Sequence, residues 1–225
     1  MGRYFRISYM LTGREVVFPG NPPVEFVQTL SMSQGDSCNA WALRLFNHNG
    51  THLDFPNHYR REGRKVSEYS IDELVFDRPY LVDVPRGEDE SIDAETLKGL
   101  PGRAYESDLL LLRTGFGQRR GDSDYLFGPY LTRDAGTYLR MAFPHLRCLG
   151  LDCLSATNPR HREAGEELHR ILLSEEPDGK PVHILEDVDL GSRELIAGFR
   201  RVFVVPLFAE EVDGTPCTVF GEVAS

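Results

Sequence analysis

Residues 48–58 read HNGTHLDFPNH and hold three of the seven histidines in the chain. His48, His52, Asp54 and His58 all occupy even positions. In an extended strand, side chains that are two, four or six residues apart project from the same face. The spacing therefore predicts a strand with one face that carries metal-binding or proton-transferring groups.

The opposite face of this stretch is predicted to pack into the core. Its odd-numbered positions, and those just upstream, are apolar: Leu43, Leu45, Leu53 and Phe55. Because glycine has no Cβ, the Gly50-Thr51 pair would let the backbone bend close to a metal ion. Pro56 would end regular strand pairing and leave His58 in a loop near that ion.

The ligand types indicate which metals would bind. Imidazole and carboxylate groups suit zinc, manganese or iron better than calcium or magnesium. Two histidines and one aspartate leave positions open for water or substrate, as in a catalytic site. Asp54 has two oxygens and could bridge two metals. The alternative is that each histidine is an ordinary surface or core residue, but four groups in phase favour a site.

Composition limits the class of protein. A chain of 225 residues can build one substantial core, and 40% hydrophobic with 27% charged residues is typical of a soluble globular protein. The net charge of -10 argues against a nucleic-acid surface. The four cysteines form no C-x-x-C pair, so we expect reduced, mostly buried thiols. With neither a signal peptide nor a membrane-length apolar run, the expected compartment is the cytoplasm.

Short apolar runs alternate with helical patterns along the chain. The predicted buried strands are Tyr80–Val84, Leu109–Leu112, Cys148–Leu151, Val182–Leu185 and Val202–Val205. The predicted helices are Ile92–Leu100, Leu131–Phe143 and Glu163–Leu173. This alternation predicts a mixed α/β fold, and we expect one domain over residues 1–225. Residues 18–23, FPGNPP, are expected to lie in a long loop.

Ligands for a second metal would have to come from elsewhere in the chain. His169 lies on the third predicted helix, and Glu186 directly follows an apolar strand. Either residue alone would more often be ordinary. His145, His161 and His183 are expected to be ordinary residues, since they lie after a helix, in a polar loop and within a strand.

Residues 48–58 resemble the signature of a cyclase-like family that includes bacterial kynurenine formamidase and isatin hydrolase. Leu109–Gly115 is similar to the family's strand followed by Arg-Thr-Gly, and Gly150 to Ser155 resembles its Gly-x-Asp-x-x-Ser segment. His169 and Glu186 fall where the family has a histidine and a glutamate. The resemblance extends roughly from Phe18 to Val205.

The resemblance implies a hydrolase with two divalent metals per chain, zinc in the formamidases and manganese as the alternative. One metal would be bound by His48, His52 and Asp54. The second would be bound by Asp54, His169 and Glu186, with Asp54 and Glu186 bridging. His58 would donate and accept protons. The implied fold is a swivelling β/β/α architecture, assembled as homodimers or homotetramers.

Two departures from the family concern the substrate. Formamidases have a tryptophan near the first Pro-Gly turn that contacts the aromatic substrate, whereas this chain has Phe18, and its only tryptophan is Trp41. Residues 174–180, SEEPDGK, form an insertion between the second-metal histidine and glutamate. We therefore expect Phe18 to contact the substrate.

The predicted activity is hydrolysis of the amide bond in a small formamide or cyclic amide, as in an arylformamidase of tryptophan catabolism. A divalent metal lowers the pKa of bound water from ~16 to ~7 and supplies hydroxide at neutral pH. An imidazole, with an unperturbed pKa of ~6.5, can carry the proton to the leaving nitrogen. The expected partner is a small-molecule substrate, with no nucleic acid and no membrane.

Other functions stay open at this point. An isatin-hydrolase-like or lactone-directed reaction would use the same residues. The Glu-x-x-His pattern at Glu166 and His169 also occurs in di-iron bundles, but those need paired motifs on four long helices. A silent member of the family could bind a small molecule without converting it, although the intact ligand set argues against this.

Overall fold

The computed structural model describes residues 2–176, 180–192 and 198–223. The strands in these ranges are β1 Arg3–Arg6, β2 Glu25–Leu30, β3 Ala40–Arg44, β4 His52–Asp54, β5 Val75–Phe76, β6 Pro79–Asp83, β7 Ser91–Ile92, β8 Leu109–Arg113, β9 Tyr130–Leu131, β10 Cys148–Leu151, β11 His183–Glu186, β12 Phe199–Pro206 and β13 Gly214–Val223. The α-helices are α1 Ala94–Lys98, α2 Arg133–Ala142 and α3 Arg162–Leu172.

One large mixed sheet organises the fold. Its strand order is β5-β12-β13-β4-β11-β10-β8-β6, and β1 pairs with β13 outside this path. Strands β6, β8, β10 and β11 pair in parallel. Strand β4 pairs antiparallel with β11 on one side and with β13 on the other. The strand of residues 52–54 therefore lies where the parallel and antiparallel parts meet.

The parallel strands are buried on both faces, as the unbroken apolar runs predicted. Along β8, all four leucines from Leu109 to Leu112 are fully buried. Leu110 and Leu112 pack in a cluster with side chains of α2 and α3, whereas Leu109 and Leu111 pack with side chains of β12 and β13. The sheet thus has one core under the helices and a second against its antiparallel part. The mixed α/β class is confirmed, and the extent of one domain over 1–225 stays a prediction.

Helices α1 and α2 are shorter than the apolar patterns predicted, because each begins at a defined N-cap. Asp93 accepts a hydrogen bond from the Thr96 N–H and begins α1, so Ile92 remains in a strand and pairs with Leu131 of β9. Thr132 caps α2 in the same way through the Ala135 N–H. Helix α3 matches its predicted range closely.

The strand predicted from the even-numbered spacing is shorter than residues 48–58, and the expectation that Pro56 ends its pairing is confirmed. Only His52–Asp54 pairs as a strand, because residues 47–51 form a turn in which Gly50 has a φ of +66°. Pro56 begins a short 3₁₀ helix, Pro56–His58. Alternation between faces therefore holds only locally. Leu53 and Phe55 are fully buried, as predicted, whereas Leu43 is 54% exposed and does not reach the core.

Leu43 belongs to a hairpin that stands apart from the main sheet. Strands β2 and β3 pair only with each other among the residues described. Val27, Trp41 and Leu43 are each 54% exposed. A two-stranded hairpin without further packing is marginally stable in water, so this element needs support from elsewhere. The loop predicted around residues 18–23 precedes the hairpin, as expected.

Two further sequence features have a defined place. Cys148, Cys153 and Cys217 are buried free thiols, and Cys38 is exposed. The insertion at residues 174–180 lies partly outside the described residues, since 177–179 are not described. Among the described residues, no helix is long and apolar enough to cross a membrane.

Replacing Leu110 with alanine is expected to destabilise the fold by about 2–5 kcal/mol, because its fully buried side chain would leave a cavity between β8 and the helices. Chemical denaturation measures this loss, provided that the m-value of the variant equals that of the wild type. Met141→Ala on α2 is the control, since Met141 is 79% exposed and its loss should cost within about 0.5 kcal/mol. A Leu110→Ala protein as stable as the control would contradict this view of the core.

Candidate metal centre

Pairing of β4 with β11 creates the centre of the site. Glu186 lies opposite His52 in this antiparallel pair, and Ile184 lies opposite Asp54. Cross-strand partners share a face of the sheet. Consequently His52, Asp54 and Glu186 all point to the side that α3 covers, while Leu53 and Leu185 point into the opposite core. All three polar side chains are at most 4% exposed.

Helix α3 adds His169 from above this face. Its Nε2 atom lies 3.5 Å from Asp54 Oδ2 and 3.6 Å from Glu186 Oε1. Its Nδ1 atom donates to the Gly165 carbonyl at 2.7 Å, one helical turn earlier. Gly165 is required here because a Cβ would collide with the Thr157 side chain.

His52 has the same arrangement as His169. Its Nδ1 atom donates to the Gly50 carbonyl at 2.8 Å. Its Nε2 atom then faces Glu186 Oε2 at 3.3 Å and Asp54 Oδ1 at 3.5 Å. Since a carbonyl can only accept, each imidazole keeps a proton on Nδ1, and Nε2 is the atom directed into the site. This tautomer is the one in which a histidine binds a metal through Nε2.

His48 reaches the same carboxylate from the turn that precedes β4. Its Nδ1 atom lies 2.8 Å from Asp54 Oδ1, and its Nε2 atom lies 3.3 Å from Asp213 Oδ2. Its imidazole packs against Gly214, where a Cβ would collide with the ring. Glycine at the start of β13 therefore makes room for His48.

His58 stands beside these residues at the end of the short 3₁₀ helix. Its ring centroid is 4.1 Å from that of His48. Its Nδ1 atom lies 2.6 Å from Asp213 Oδ2, and the Asn47 amide donates to the other oxygen of Asp213 at 2.6 Å. A carboxylate on one ring nitrogen fixes the tautomer and orientation of an imidazole. Asp213 is therefore part of the site, although no sequence pattern indicates it.

Ligand atoms converge in three groups within the described residues. Each group has its atoms within 4.8 Å of one another: His48, His52 and Asp54; Asp54, His169 and Glu186; and His48, His58 and Asp213. The structure thus brings together all five residues predicted as metal ligands, and Asp54 belongs to both predicted groups. His58 lies next to them.

The pKa values follow from this crowding. Burial lowers the pKa of His169, but hydrogen bonds with Asp54 and Glu186 outweigh it and raise the pKa to about 10. Burial likewise lowers the pKa of His48, yet its bonds to Asp213 and Asp54 raise it to about 10. Burial raises the pKa of Glu186, but hydrogen bonds from His169 and His52 lower it to about 2. The carboxylates thus stay ionised and attract positive charge.

These observations fit a divalent cation. Asp54 and Glu186 have no Lys or Arg partner in the described ranges, so imidazoles alone balance their charge. Buried charges are costly unless they are paired or bind a metal. Both Nε2 atoms of His52 and His169 face the carboxylates. Metal binding would release the imidazole protons and supply the missing charge.

Glu186 is also held by the segment that follows β10. The Ser155 hydroxyl donates to Glu186 Oε1 at 2.9 Å, and the Ala156 N–H donates to the same oxygen at 2.6 Å. Oε2 is left to face His52. The Gly-x-Asp-x-x-Ser segment therefore orients a predicted ligand rather than adding one of its own.

A cavity of about 270 Å³ opens above the ligand groups. Phe18, predicted to contact the substrate, lies in its wall together with Phe46, Tyr59 and Leu154. Arg162 and Glu166 of α3 also line it, and the Arg162 guanidinium is 5.6 Å from the centre of the Phe18 ring. Sequence patterns had not indicated Phe46 or Arg162, since neither belongs to a motif.

The other histidines are ordinary, as predicted. His183 is buried in β11 and donates to the Asp54 carbonyl at 3.1 Å, and burial lowers its pKa to about 4. His161 pairs with Asp89 at 2.8 Å. His145 is half exposed and follows α2.

Comparison with known proteins places this site in a family. The family model described as "Putative cyclase" matches residues 7–157. A kynurenine formamidase from Bacillus mycoides (strain KBAB4) is 26% identical over 214 residues, 95% of this chain and 94% of that protein. Isatin hydrolase A from Labrenzia aggregata has a similar structure, with a TM-score of 0.80 at 19% identity over 99% of this chain and 94% of that one.

A further solved structure, described as a potential metal-dependent hydrolase with cyclase activity, matches all of both chains with a TM-score of 0.75 and 19% identity. The kynurenine formamidase relatives and the ligand groups support a metal-dependent hydrolase. The match over residues 7–157 shows that the chain belongs to the cyclase family. The family predicted from residues 48–58 is therefore confirmed.

Proposed function

We propose that the protein hydrolyses the amide bond of a small aromatic formamide, as its kynurenine formamidase relatives do. The observation that carries this proposal is the pair of ligand groups that share Asp54 at the base of the cavity. Two divalent cations per chain would be held there, one by His48, His52 and Asp54 and one by Asp54, His169 and Glu186. Zinc is the proposed metal and manganese the alternative.

Divalent cations supply one part of the chemistry, since they acidify water and polarise a carbonyl. The protein side chains supply the rest. Ser155 and the Ala156 N–H hold Glu186, and backbone carbonyls hold the imidazoles of His52 and His169. These groups would keep the ligand atoms oriented through the reaction, so little reorganisation is needed.

His58 is the proposed proton carrier. It lines the cavity, and its Nδ1 atom lies 2.6 Å from Asp213. The Nδ1–H group would donate a hydrogen bond to that carboxylate and keep its proton. Nε2 is then the atom that takes a proton from the attacking water. The same atom then returns the proton to the leaving nitrogen. Burial raises the pKa of Asp213, but hydrogen bonds from His48 and His58 hold it well below its usual range, so Asp213 stays ionised.

The cavity wall supports an aromatic substrate that carries charge. Phe18, Phe46 and Leu154 offer an apolar surface for a ring and exclude water from it. Arg162 and Glu166 at the same cavity offer one positive and one negative group. A substrate with an α-amino-acid group carries one carboxylate and one ammonium group, which would pair with these two residues. This pairing favours N-formylkynurenine over isatin, which is uncharged.

Metal analysis followed by turnover assays tests the proposal. Chelated protein is reloaded with zinc or manganese and assayed with N-formylkynurenine, isatin and simple lactones. We expect two metal ions per chain and turnover of N-formylkynurenine. Turnover of isatin or a lactone alone would replace the formamide by a cyclic substrate. Metal binding without turnover would support the alternative of a family member that binds a small molecule without converting it. Oxygen consumption would support the alternative of a di-iron protein.

The proposal includes assembly as a homodimer or homotetramer. The exposed side chains of Trp41 and Leu43, together with Phe26 opposite Leu43 on the same face of the β2–β3 hairpin, support it, because contiguous exposed apolar surface marks an interaction site. Sedimentation of the wild type and of a Trp41→Ser, Leu43→Ser variant is the test. A monomeric wild type at micromolar concentration would contradict the proposed assembly.

A further inference from the structure

Asp187, the residue directly after Glu186, has an unusual backbone conformation. Its φ is +52°, in the left-handed region that residues other than glycine seldom adopt. It is also buried, with 1% of its surface exposed. Such conformations persist only where the surroundings impose them, and they concentrate at functional sites. Here the chain turns immediately beyond the carboxylate of a predicted metal ligand.

An arginine and a tyrosine surround the Asp187 carboxylate. Arg120 Nε lies 2.8 Å from Oδ1 and 2.9 Å from Oδ2, and Arg120 Nη2 lies 2.8 Å from Oδ2. The Tyr125 hydroxyl donates to Oδ1 at 2.8 Å. The Arg120 side chain is 16% exposed, and its guanidinium lies 4.1 Å from the centre of the Tyr9 ring. Both carboxylate oxygens are therefore fixed in direction.

The Asp187 backbone joins the other segments of the site. Its N–H donates to the Cys153 carbonyl at 2.9 Å, two residues before Ser155. Its carbonyl accepts a hydrogen bond from the Thr51 hydroxyl, and Thr51 directly precedes His52. One residue thus ties together the three stretches that carry His52, Ser155 and Glu186.

Stability alone is a poor explanation for this ion pair. Replacing a buried pair by apolar residues of similar size is often neutral or stabilising, so a buried salt bridge is weak evidence for stability. Its value can instead be geometric. The arginine fork accepts one orientation of a carboxylate, and that orientation fixes the turn after Glu186.

We propose that Arg120 and Asp187 form a positioning pair that holds the left-handed turn after Glu186 and thereby aims the Glu186 carboxylate at the second metal. The inference rests on the proposed function. Neither residue belongs to the ligand groups or lines the cavity. The pair acts through the backbone of Glu186 and through the Thr51 and Cys153 contacts, in the way that partners around metal ligands set metal affinity.

Three variants separate the ion pair from the backbone conformation. Asp187→Asn keeps the shape and tolerates the left-handed region but loses the charge. Asp187→Gly also keeps that conformation and loses the whole side chain. Arg120→Met removes the partner and keeps much of its length. The readout is zinc and manganese affinity, measured on chelated and reloaded protein by competition with a chromophoric chelator.

All three variants are expected to bind the second metal, the one assigned to Asp54, His169 and Glu186, about 10- to 100-fold less tightly, with kcat reduced and KM unchanged. Arg113→Met is the matched control. Arg113 forms a similar fork on Asp83, with its Nη2 3.0 Å from Oδ2, but joins β8 to β6 and lines no part of the cavity. Its metal affinity should equal that of the wild type.

Unchanged metal affinity in Asp187→Asn and Arg120→Met would overturn the inference while leaving the proposed function intact. A lowered melting temperature with unchanged affinity would overturn it as well, since the pair would then be only structural. Loss of affinity in Arg120→Met with none in Asp187→Gly would also contradict it. A wild-type chain that binds neither metal would instead refute the proposed function, and the inference with it.

Discussion

Asp54→Asn is expected to abolish both metal binding and hydrolysis. Asp54 is 1% exposed and belongs to both ligand groups, so a single change affects each metal. Asparagine keeps the volume of aspartate but loses its charge and offers one weaker oxygen ligand. Loss of a hydrogen-bonding partner outside the ligand set lowers metal affinity about 10- to 100-fold. Removing a ligand itself should lower the affinity further. Metal content by mass spectrometry and turnover of N-formylkynurenine measure the two effects.

Asp108→Asn is the matched control for this prediction. Asp108 is 5% exposed and accepts hydrogen bonds from the N–H groups of Asp77 and Arg78, away from the cavity. Its loss should lower stability and leave the metal content unchanged. An Asp54→Asn protein that retains two metals would show that Asp54 does not bridge the two ligand groups.

The parallel strands could be predicted from the sequence because their burial is two-sided. Four consecutive leucines in Leu109–Leu112 are typical of a strand covered on both faces, because an apolar run this short suits a strand better than a helix. Strands β10 and β11 could be predicted for the same reason. The β2–β3 hairpin could not, because Trp41 and Leu43 are exposed although apolar alternation normally marks a buried face.

The even-numbered spacing predicted which residues of the motif meet, but strand alternation explains only two of them. Two-residue alternation holds for His52 and Asp54, which lie in β4. His48 and His58 reach the site through a turn at Gly50 and a 3₁₀ helix at Pro56. Glycine and proline in the motif indicated these bends, but no local pattern gives the direction in which the chain leaves them.

Asp213 could not be predicted because its contact with His58 spans 155 residues. Its local sequence, Asp-Gly before a strand, is typical of a turn and indicates nothing more. Arg120 and Asp187 are 67 residues apart, and their contact could not be predicted for the same reason. Pairs of this kind arise only when the order of strands in the sheet is fixed.

His58→Ala is expected to keep both metals and to lower kcat by about 100- to 10,000-fold, the usual contribution of general acid–base catalysis. Alanine removes the atom that moves the proton, while His48, His52, Asp54 and the second ligand group remain. Metal content and single-turnover rates measure the effect. Asp213→Asn should fall between wild type and His58→Ala, because it disturbs the orientation of the imidazole but leaves it in the cavity.

His161→Ala is the control for a histidine paired with an aspartate, since His161 Nε2 lies 2.8 Å from Asp89 and the residue lines no part of the cavity. It should retain wild-type kcat. Loss of metal from His58→Ala would assign His58 to the third ligand group, with His48 and Asp213, and proton transfer would pass to another residue. Because His58 and His48 share Asp213, only a variant that separates metal content from turnover can distinguish a ligand from a proton carrier.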